Sequence, residues 1–143
     1  MYIGAGVILR NPTGQILLVC DSRSSRWGFP KGHPERCDKN LPLNTAVREC
    51  WEETGMTYNV DYMIEQVKPR RIGKRLYFTG ICNREKFDKE AIPAGEISDV
   101  RWWSLAEFVG KDDVLNSDLR CWIRKARFSK SPTLGPMPCP SSS

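Results

Sequence analysis

The stretch from residue 27 to residue 56 constrains the fold of this chain more than any other. A rigid loop at Phe29-Pro30-Lys31-Gly32 leads into a segment whose apolar residues recur at helical spacing. Asn40 can cap the start of a helix, Pro42 suits a first helical turn, and Gly55 suits a left-handed end. We therefore predict a helix between Asn40 and Gly55 that is entered from a loop.

The two faces of this predicted helix differ in chemistry. The apolar face, which suits packing against a sheet, carries Leu43, Ala46, Val47, Cys50 and Trp51. The opposite half carries Glu49, Glu52 and Glu53. Carboxylates placed so closely repel one another unless a cation lies between them, and a hard divalent ion such as Mg²⁺ pairs carboxylate oxygens with phosphates. The pattern therefore indicates a metal site on the solvent side of the helix.

Residues 48–56 read Arg-Glu-Cys-Trp-Glu-Glu-Thr-Gly-Met and resemble the second half of the Nudix box. That box consists of a glycine, a loop glutamate, and then Arg-Glu-apolar-any-Glu-Glu-any-Gly-apolar. Counting forward from Gly32 the loop glutamate falls at Asp38, whereas counting back from Arg48 it falls at Asn40. The loop is thus two residues longer than in the family, and its acid is Asp38, Glu35 or absent.

The resemblance implies Mg²⁺- or Mn²⁺-assisted hydrolysis of a nucleoside diphosphate linked to another group. It implies that the metal is held by Gly32, Glu49, Glu52 and Glu53. Arg48 matches the family arginine that orients a glutamate. Glu96 precedes a strand that ends in tryptophan, as in a second recurrent stretch of the family, where such an acid completes the metal site or acts as base. Helix-face ion pairs, and a loop brace at Glu96, are the alternatives.

The other elements follow from periodicity and turn signals. We predict strands at residues 2–9, 15–20, 27–29, 57–67 and 75–82, a helix capped by Ser104, and a last helix capped by Asn116 or Ser117. These pieces predict an α/β/α sandwich with a mixed sheet. Residues 1–128 are expected to form one domain, and residues 129–143, which are rich in Pro and Ser, a tail.

Candidate substrate contacts lie outside the box. Five basic residues fall within residues 68–75, where a solvated hairpin tip and a phosphate clamp are the two readings. Lys31 can meet a distal phosphate, and Tyr77 or Trp27 could stack on a base or pack in the core. The candidate substrate-binding residues are Lys31, Arg70, Arg71, Lys74, Arg75 and Tyr77.

The substrate itself is ranked by resemblance. The segment at residues 27–33 resembles the start of the box in diadenosine tetraphosphate hydrolases, mRNA decapping enzymes and diphosphoinositol polyphosphate phosphohydrolases. A dinucleoside polyphosphate or capped nucleotide ranks first, an inositol pyrophosphate second and capped RNA third. A Nudix-like module that only binds nucleotide or RNA is the non-enzymatic alternative.

Composition sets the remaining expectations. The net charge of +5 favours anionic partners, or serves solubility alone. The six cysteines form no C-x-x-C pair and His33 is the one histidine, so no zinc site is expected. The start of the chain lacks signal-peptide features and no apolar run is long enough to span a bilayer, so we expect a cytoplasmic protein with free thiols.

Overall fold

The structure is a computed structural model that describes residues 2–83 and 95–129, with the side chains of residues 127–129 excluded. The predicted tail beyond residue 129 and most of the predicted loop between Asn83 and Gly95 lie outside the described residues.

Eight strands of the described residues join in one sheet, accompanied by two α-helices. The helices are α1 (Pro42–Thr54) and α2 (Ser117–Ser129). The strands are β1 (Gly4–Arg10), β2 (Ile16–Asp21), β3 (Trp27–Gly28), β4 (Lys31–Gly32), β5 (Tyr62–Ile64), β6 (Arg70–Ile72), β7 (Arg75–Cys82) and β8 (Ile97–Trp103).

The sheet is mixed, as predicted. Its main path runs β3-β2-β1-β7-β5, while β4 pairs with β1, β6 with β7 and β8 with β2. Strands β1 and β7 run parallel, with Gly4 opposite Arg75, and the other strand pairs are antiparallel. Because β4 places Gly32 opposite Ala5, the start of β1 lies between Gly32 on one side and Arg75 on the other.

Apolar side chains fill both faces of the sheet. On one face, Ala46 and Cys50 of α1 pack with residues such as Val7 of β1. On the other face, Leu119 and Trp122 of α2 pack with residues such as Ile8. Because successive strand residues point to opposite faces, a strand covered on both sides is apolar throughout, as β1 is. The α/β/α sandwich is confirmed.

Helix α1 differs from its prediction in two ways. Its N-cap residue is Leu41, because Lys39 and Asn40 both adopt left-handed backbone conformations, with φ of 56° and 59°. Trp51, predicted to face the sheet, is 53% exposed, whereas Glu53, predicted to face solvent, is only 9% exposed. The reason is that Glu53 turns toward β4, where its Oε1 accepts a hydrogen bond from the Lys31 N–H. Gly55 ends the helix in the left-handed conformation, as predicted.

Other boundaries also shift. The strand predicted over residues 57–67 is reduced to β5, because the Asp61 side chain accepts a hydrogen bond from Thr57 N and closes a turn before it. Ser104 precedes a 3₁₀ turn at Leu105–Phe108 without a side-chain capping bond. Asn116 caps α2 through Oδ1, which accepts from Leu119 N.

Two general features complete the description. Neither described helix has the length and apolarity needed to cross a membrane. No disulfide joins any two of the five described cysteines, which are Cys20, Cys37, Cys50, Cys82 and Cys121.

The close approach of β4 to β1 can be tested at Gly6. A Cβ atom there would lie 2.2 Å from the Pro30 carbonyl oxygen and 2.9 Å from Tyr77 Cε1. That carbonyl accepts the Val7 N–H bond and cannot move freely. We expect Gly6→Ala to lower the free energy of unfolding by about 1–3 kcal/mol in urea denaturation. Gly4→Ala, whose Cβ would lie 3.0 Å from its nearest atom, should cost less. Equal losses would contradict this packing.

Candidate active site

Arg48 of α1 is anchored by a buried carboxylate. Its Nε and Nη2 donate to the two oxygens of Asp38, at 2.9 and 3.0 Å, and Asp38 is 2% exposed. Asp38 Oδ2 also accepts from Thr45 Oγ1 at 2.6 Å and from the Glu35 N–H at 2.9 Å. The Arg48 guanidinium holds the pKa of Asp38 well below its usual range. The ion pair therefore ties the loop to the helix in one orientation.

This geometry shows which acid braces the lengthened loop. Glu35 Oε2 lies 3.6 Å from Arg48 Nη1 and its side chain is 58% exposed, so Asp38 is the bidentate partner. The two left-handed residues that follow, Lys39 and Asn40, turn the chain until the Leu41 N–H meets the Asp38 carbonyl at 3.1 Å. Lys39 and Asn40 account for the two residues by which the loop between Gly32 and Arg48 is longer than in the Nudix box.

The opposite side of the Arg48 guanidinium holds two acids of the box. Nη1 donates to Glu49 Oε2 and to Glu52 Oε2, both at 3.1 Å. Nη2 also donates to the His33 carbonyl at 2.8 Å. One side chain thus connects the loop, the backbone after β4 and two carboxylates of α1.

Glu49 and Glu53 crowd against the backbone of β4. A Cβ atom at Gly32 would lie 1.9 Å from Glu49 Cδ, so only glycine leaves room for that carboxylate. Burial, followed by the charge of Glu52, raises the pKa of Glu49 to about 6. Burial, followed by the charge of Glu49, raises the pKa of Glu53 to about 8. The carboxylates are therefore placed where a cation would relieve both effects.

The acidic pocket has the donor chemistry of a hard divalent ion. It is a cavity of about 390 Å³ lined by Gly32, Glu49, Glu52, Glu53 and Glu96, among others. Among the described residues, no three His, Cys, Asp or Glu side chains form a group that could hold a metal ion as they stand. The carboxylate oxygens of Glu49, Glu52 and Glu53 and their mutual repulsion nevertheless have the chemistry that Mg²⁺ or Mn²⁺ prefers.

A second cavity, the side cleft, adjoins the acidic pocket. It measures about 380 Å³ and shares Gly32, Glu53 and Glu96 with that pocket. Its polar wall includes Arg26, Lys31, Arg75, Asn116 and Asp118. The predicted contacts Lys31 and Arg75 therefore lie beside the acids, and Glu96 lines both cavities.

The other predicted substrate contacts lie elsewhere. Arg70, Arg71 and Lys74 are exposed and line neither cavity. The stacking role suggested for Tyr77 is wrong, because the side chain is fully buried, packs edge-on against Phe29 and donates its hydroxyl to Asp118. Asp118 and Asn116 were missed as residues of the site, since in the sequence they look only like the first turn and cap of a helix.

Family membership follows from a comparison with known domains. The family model for the NUDIX domain matches residues 2–126 of this chain. The chain belongs to the Nudix family. Residues 48–56, which resemble the second half of the Nudix box, lie within this matched Nudix domain.

Similar solved structures share the fold. A C. elegans Ap4A hydrolase in a binary complex is 18% identical, with a TM-score of 0.68, covering 90% of this chain and 98% of that one. The NUDIX domain of Shewanella oneidensis NrtR, complexed with ADP ribose, is 21% identical with a TM-score of 0.66, covering 92% of this chain and 89% of that one. A Nudix-family hydrolase from Clostridium perfringens is 14% identical with a TM-score of 0.67, covering 87% of this chain and 94% of that one.

The Asp38–Arg48 pair can be tested by stability. Asp38→Asn leaves Arg48 without its bidentate partner and should lower the free energy of unfolding at pH 7 by about 3 kcal/mol. Because the pKa of Asp38 is lower in the folded state, its contribution is complete above the ordinary aspartate pKa of about 4 and is lost as the pH falls below it. The difference between wild type and variant, measured by urea denaturation, should therefore shrink below pH 4.

Glu35→Gln is the matched control for that experiment. It removes a carboxylate 3.6 Å from the same guanidinium but at an exposed position, so its effect should stay within about 0.5 kcal/mol. If Glu35→Gln cost as much as Asp38→Asn, the exposed acid would be the brace instead.

Proposed function

We propose that this protein hydrolyses a diphosphate linkage in a nucleoside polyphosphate, namely a dinucleoside polyphosphate or a capped nucleotide, with Mg²⁺ or Mn²⁺. The observation that carries the proposal is the Arg48 guanidinium, which Asp38 anchors and which aligns Glu49 and Glu52 beside the buried Glu53. A Nudix domain that only binds its ligand would have no need of three aligned carboxylates.

The residues of the acidic pocket have different roles in the proposed hydrolysis. Glu49, Glu52 and Glu53, with the Gly32 backbone, would hold the ion, which when bound supplies Lewis acidity toward phosphate oxygens. Arg48 orients two of these acids, and the Lys31 N–H orients the third. Glu49 is either a ligand of the ion or the base that accepts a proton from the attacking water. Glu96 lines both cavities and is the alternative base.

Two of the similar structures support a nucleotide as the substrate. One is an Ap4A hydrolase and the other is a domain complexed with ADP ribose. The two adjoining cavities have room for phosphates on both sides of Gly32, as a linkage flanked by further groups requires.

An inositol pyrophosphate is the second candidate, because of the lining of the side cleft. Arg26, Lys31 and Arg75 contribute positive charge there, beside the acids Asp21, Glu53, Glu96 and Asp118. The described wall contains Phe29, which is buried to 1% exposure and offers no open ring face for a base, and His33, which is exposed. The three basic side chains are the groups that would contact a densely phosphorylated ring. Capped RNA remains the third candidate substrate.

The reaction can be tested with a substrate panel. Diadenosine tetraphosphate, a cap analogue, capped RNA, nucleoside triphosphates and an inositol pyrophosphate are incubated with Mg²⁺ or Mn²⁺, and released phosphate and nucleotide are measured. We expect turnover of one class and a loss of about 10²-fold or more in kcat for Glu52→Gln. Glu65→Gln, at an exposed position outside both cavities, should retain activity. Ligand binding without turnover would instead identify a binding module.

The ion itself can be tested by stability at Glu53. Since the pKa of Glu53 is raised in the folded state, metal-free wild type should lose stability as the pH rises from about 5 to about 8. Glu53→Gln removes this buried charge, so the metal-free variant should be at least as stable as wild type at pH 8. Mn²⁺ should raise the Tm of wild type but not of Glu53→Gln. An equal shift in both would place the ion elsewhere.

A further inference from the structure

Arg75 is held in the side cleft by a buried carboxylate. Its Nη1 lies 3.3 Å from Asp118 Oδ2, and the same oxygen accepts the hydroxyl hydrogen of Tyr77. Asp118 is 7% exposed and Tyr77 is fully buried. The Arg75 guanidinium is therefore bonded at Nη1 to a carboxylate that is itself held by a core residue.

The route of this side chain brings it close to the acidic pocket. Its Cγ would lie 3.2 Å from a Cβ atom at Gly4, and the Gly32 carbonyl oxygen would lie 3.0 Å from the same Cβ atom. Because Gly4 has no side chain, the β1 backbone is uncovered at this position, with Arg75 on one side and Gly32 on the other. Arg75 therefore lies one strand away from the backbone against which Glu49 packs.

Arg75 lines the side cleft. Within the described part of the chain, Asp118 is the partner to which it donates. A guanidinium with spare N–H groups is the side chain best matched to phosphate oxygens. Asp21, which also lines the cleft, has its carboxylate engaged by the N–H groups of Arg23 and Ser24. Glu53 and Glu96 lie where the cleft meets the acidic pocket.

We propose that Arg75 determines specificity by binding a phosphate group beyond the linkage that is cleaved, and that Asp118 positions it. The inference rests on the proposed function for the identity of that linkage. It selects substrates with a further phosphate on this side, such as dinucleoside tetraphosphates or inositol pyrophosphates. A sugar attached directly to the diphosphate would leave the guanidinium unused.

Binding can be measured without hydrolysis. The probes are imidodiphosphate and diimidotriphosphate, whose P–N–P bridges resist cleavage, titrated calorimetrically with Mg²⁺ present. For wild type we expect tighter binding of the three-phosphorus probe. Arg75→Gln should weaken that binding about 10- to 100-fold, the value of a charge-assisted hydrogen-bond pair, and leave the two-phosphorus probe within about threefold. Arg75→Lys keeps the positive charge but not the paired N–H donors of a guanidinium. Its affinity for the three-phosphorus probe should therefore lie between those of wild type and Arg75→Gln.

Arg10→Gln is the matched control. Arg10 lies at the far end of the β1–β7 pair, opposite Ile81, and lines neither cavity. Its loss removes the same charge without touching the cleft, so binding of both probes should hardly change. Equal weakening by Arg10→Gln and Arg75→Gln would mean that net charge alone attracts the probe, and the proposal would fall.

Asp118→Asn tests the positioning role. The change makes the cleft more positive, so simple electrostatics predicts tighter binding of diimidotriphosphate. If Asp118 positions Arg75, binding of diimidotriphosphate should instead weaken by about three- to tenfold. This loss is smaller than the loss expected for Arg75→Gln. Tighter binding in a variant that melts as a folded protein would overturn this role.

Turnover separates this inference from the proposed function. Where substrates are hydrolysed, Arg75→Gln should raise KM for diadenosine tetraphosphate or the inositol pyrophosphate more than for ADP-ribose, and the more affected substrate identifies the source of the extra phosphate. If nothing is hydrolysed yet the three-phosphorus probe still depends on Arg75, the proposed function fails while the subsite stands. If substrates are hydrolysed but Arg75→Gln changes neither binding of the three-phosphorus probe nor the KM values, the proposed function stands and the subsite alone is overturned.

Discussion

The contact between Arg48 and Asp38 is the interaction on which the candidate active site depends. A guanidinium has five N–H groups, and Arg48 uses them on Asp38, Glu49, Glu52 and the His33 carbonyl. Lysine, with three donors on a flexible stem, could not bond to all four at once. The buried position of Asp38 matters equally, because an exposed acid would leave the guanidinium free to turn and the two glutamates without a common orientation.

Backbone spacing provides the second constraint. Strand β4 lies against β1 because Gly6 has no side chain to displace the Pro30 carbonyl, and Glu49 reaches the same backbone because Gly32 has none either. The acids thus meet β4 along its length, with Glu53 accepting the Lys31 N–H and Glu49 packed on Gly32. The site is built from a helix and a strand that glycines allow to approach each other closely.

Periodicity and turn signals predicted α1, α2 and the strands at residues 2–9 and 15–20, since each follows from local spacing. Periodicity misplaced Trp51 and Glu53, because a helical wheel gives the angle between residues but not which neighbour each one meets. Glu53 is buried through a strand 22 residues earlier. Asp118 was not foreseen for the same reason: its partners, Arg75 and Tyr77, lie more than 40 residues away.

The arrangement answers an electrostatic problem that any such site must meet. Carboxylates that hold a cation would repel a polyphosphate substrate, so such a site also needs nearby groups that attract phosphate. Here β1 separates the two sets, with Glu49 packed at Gly32 on one side and Arg75 on the other. Asp118 engages one end of the Arg75 guanidinium. Arg75 is thus a strand away from Glu49, and a polyphosphate lying across that strand would meet an ion at one end and a guanidinium at the other.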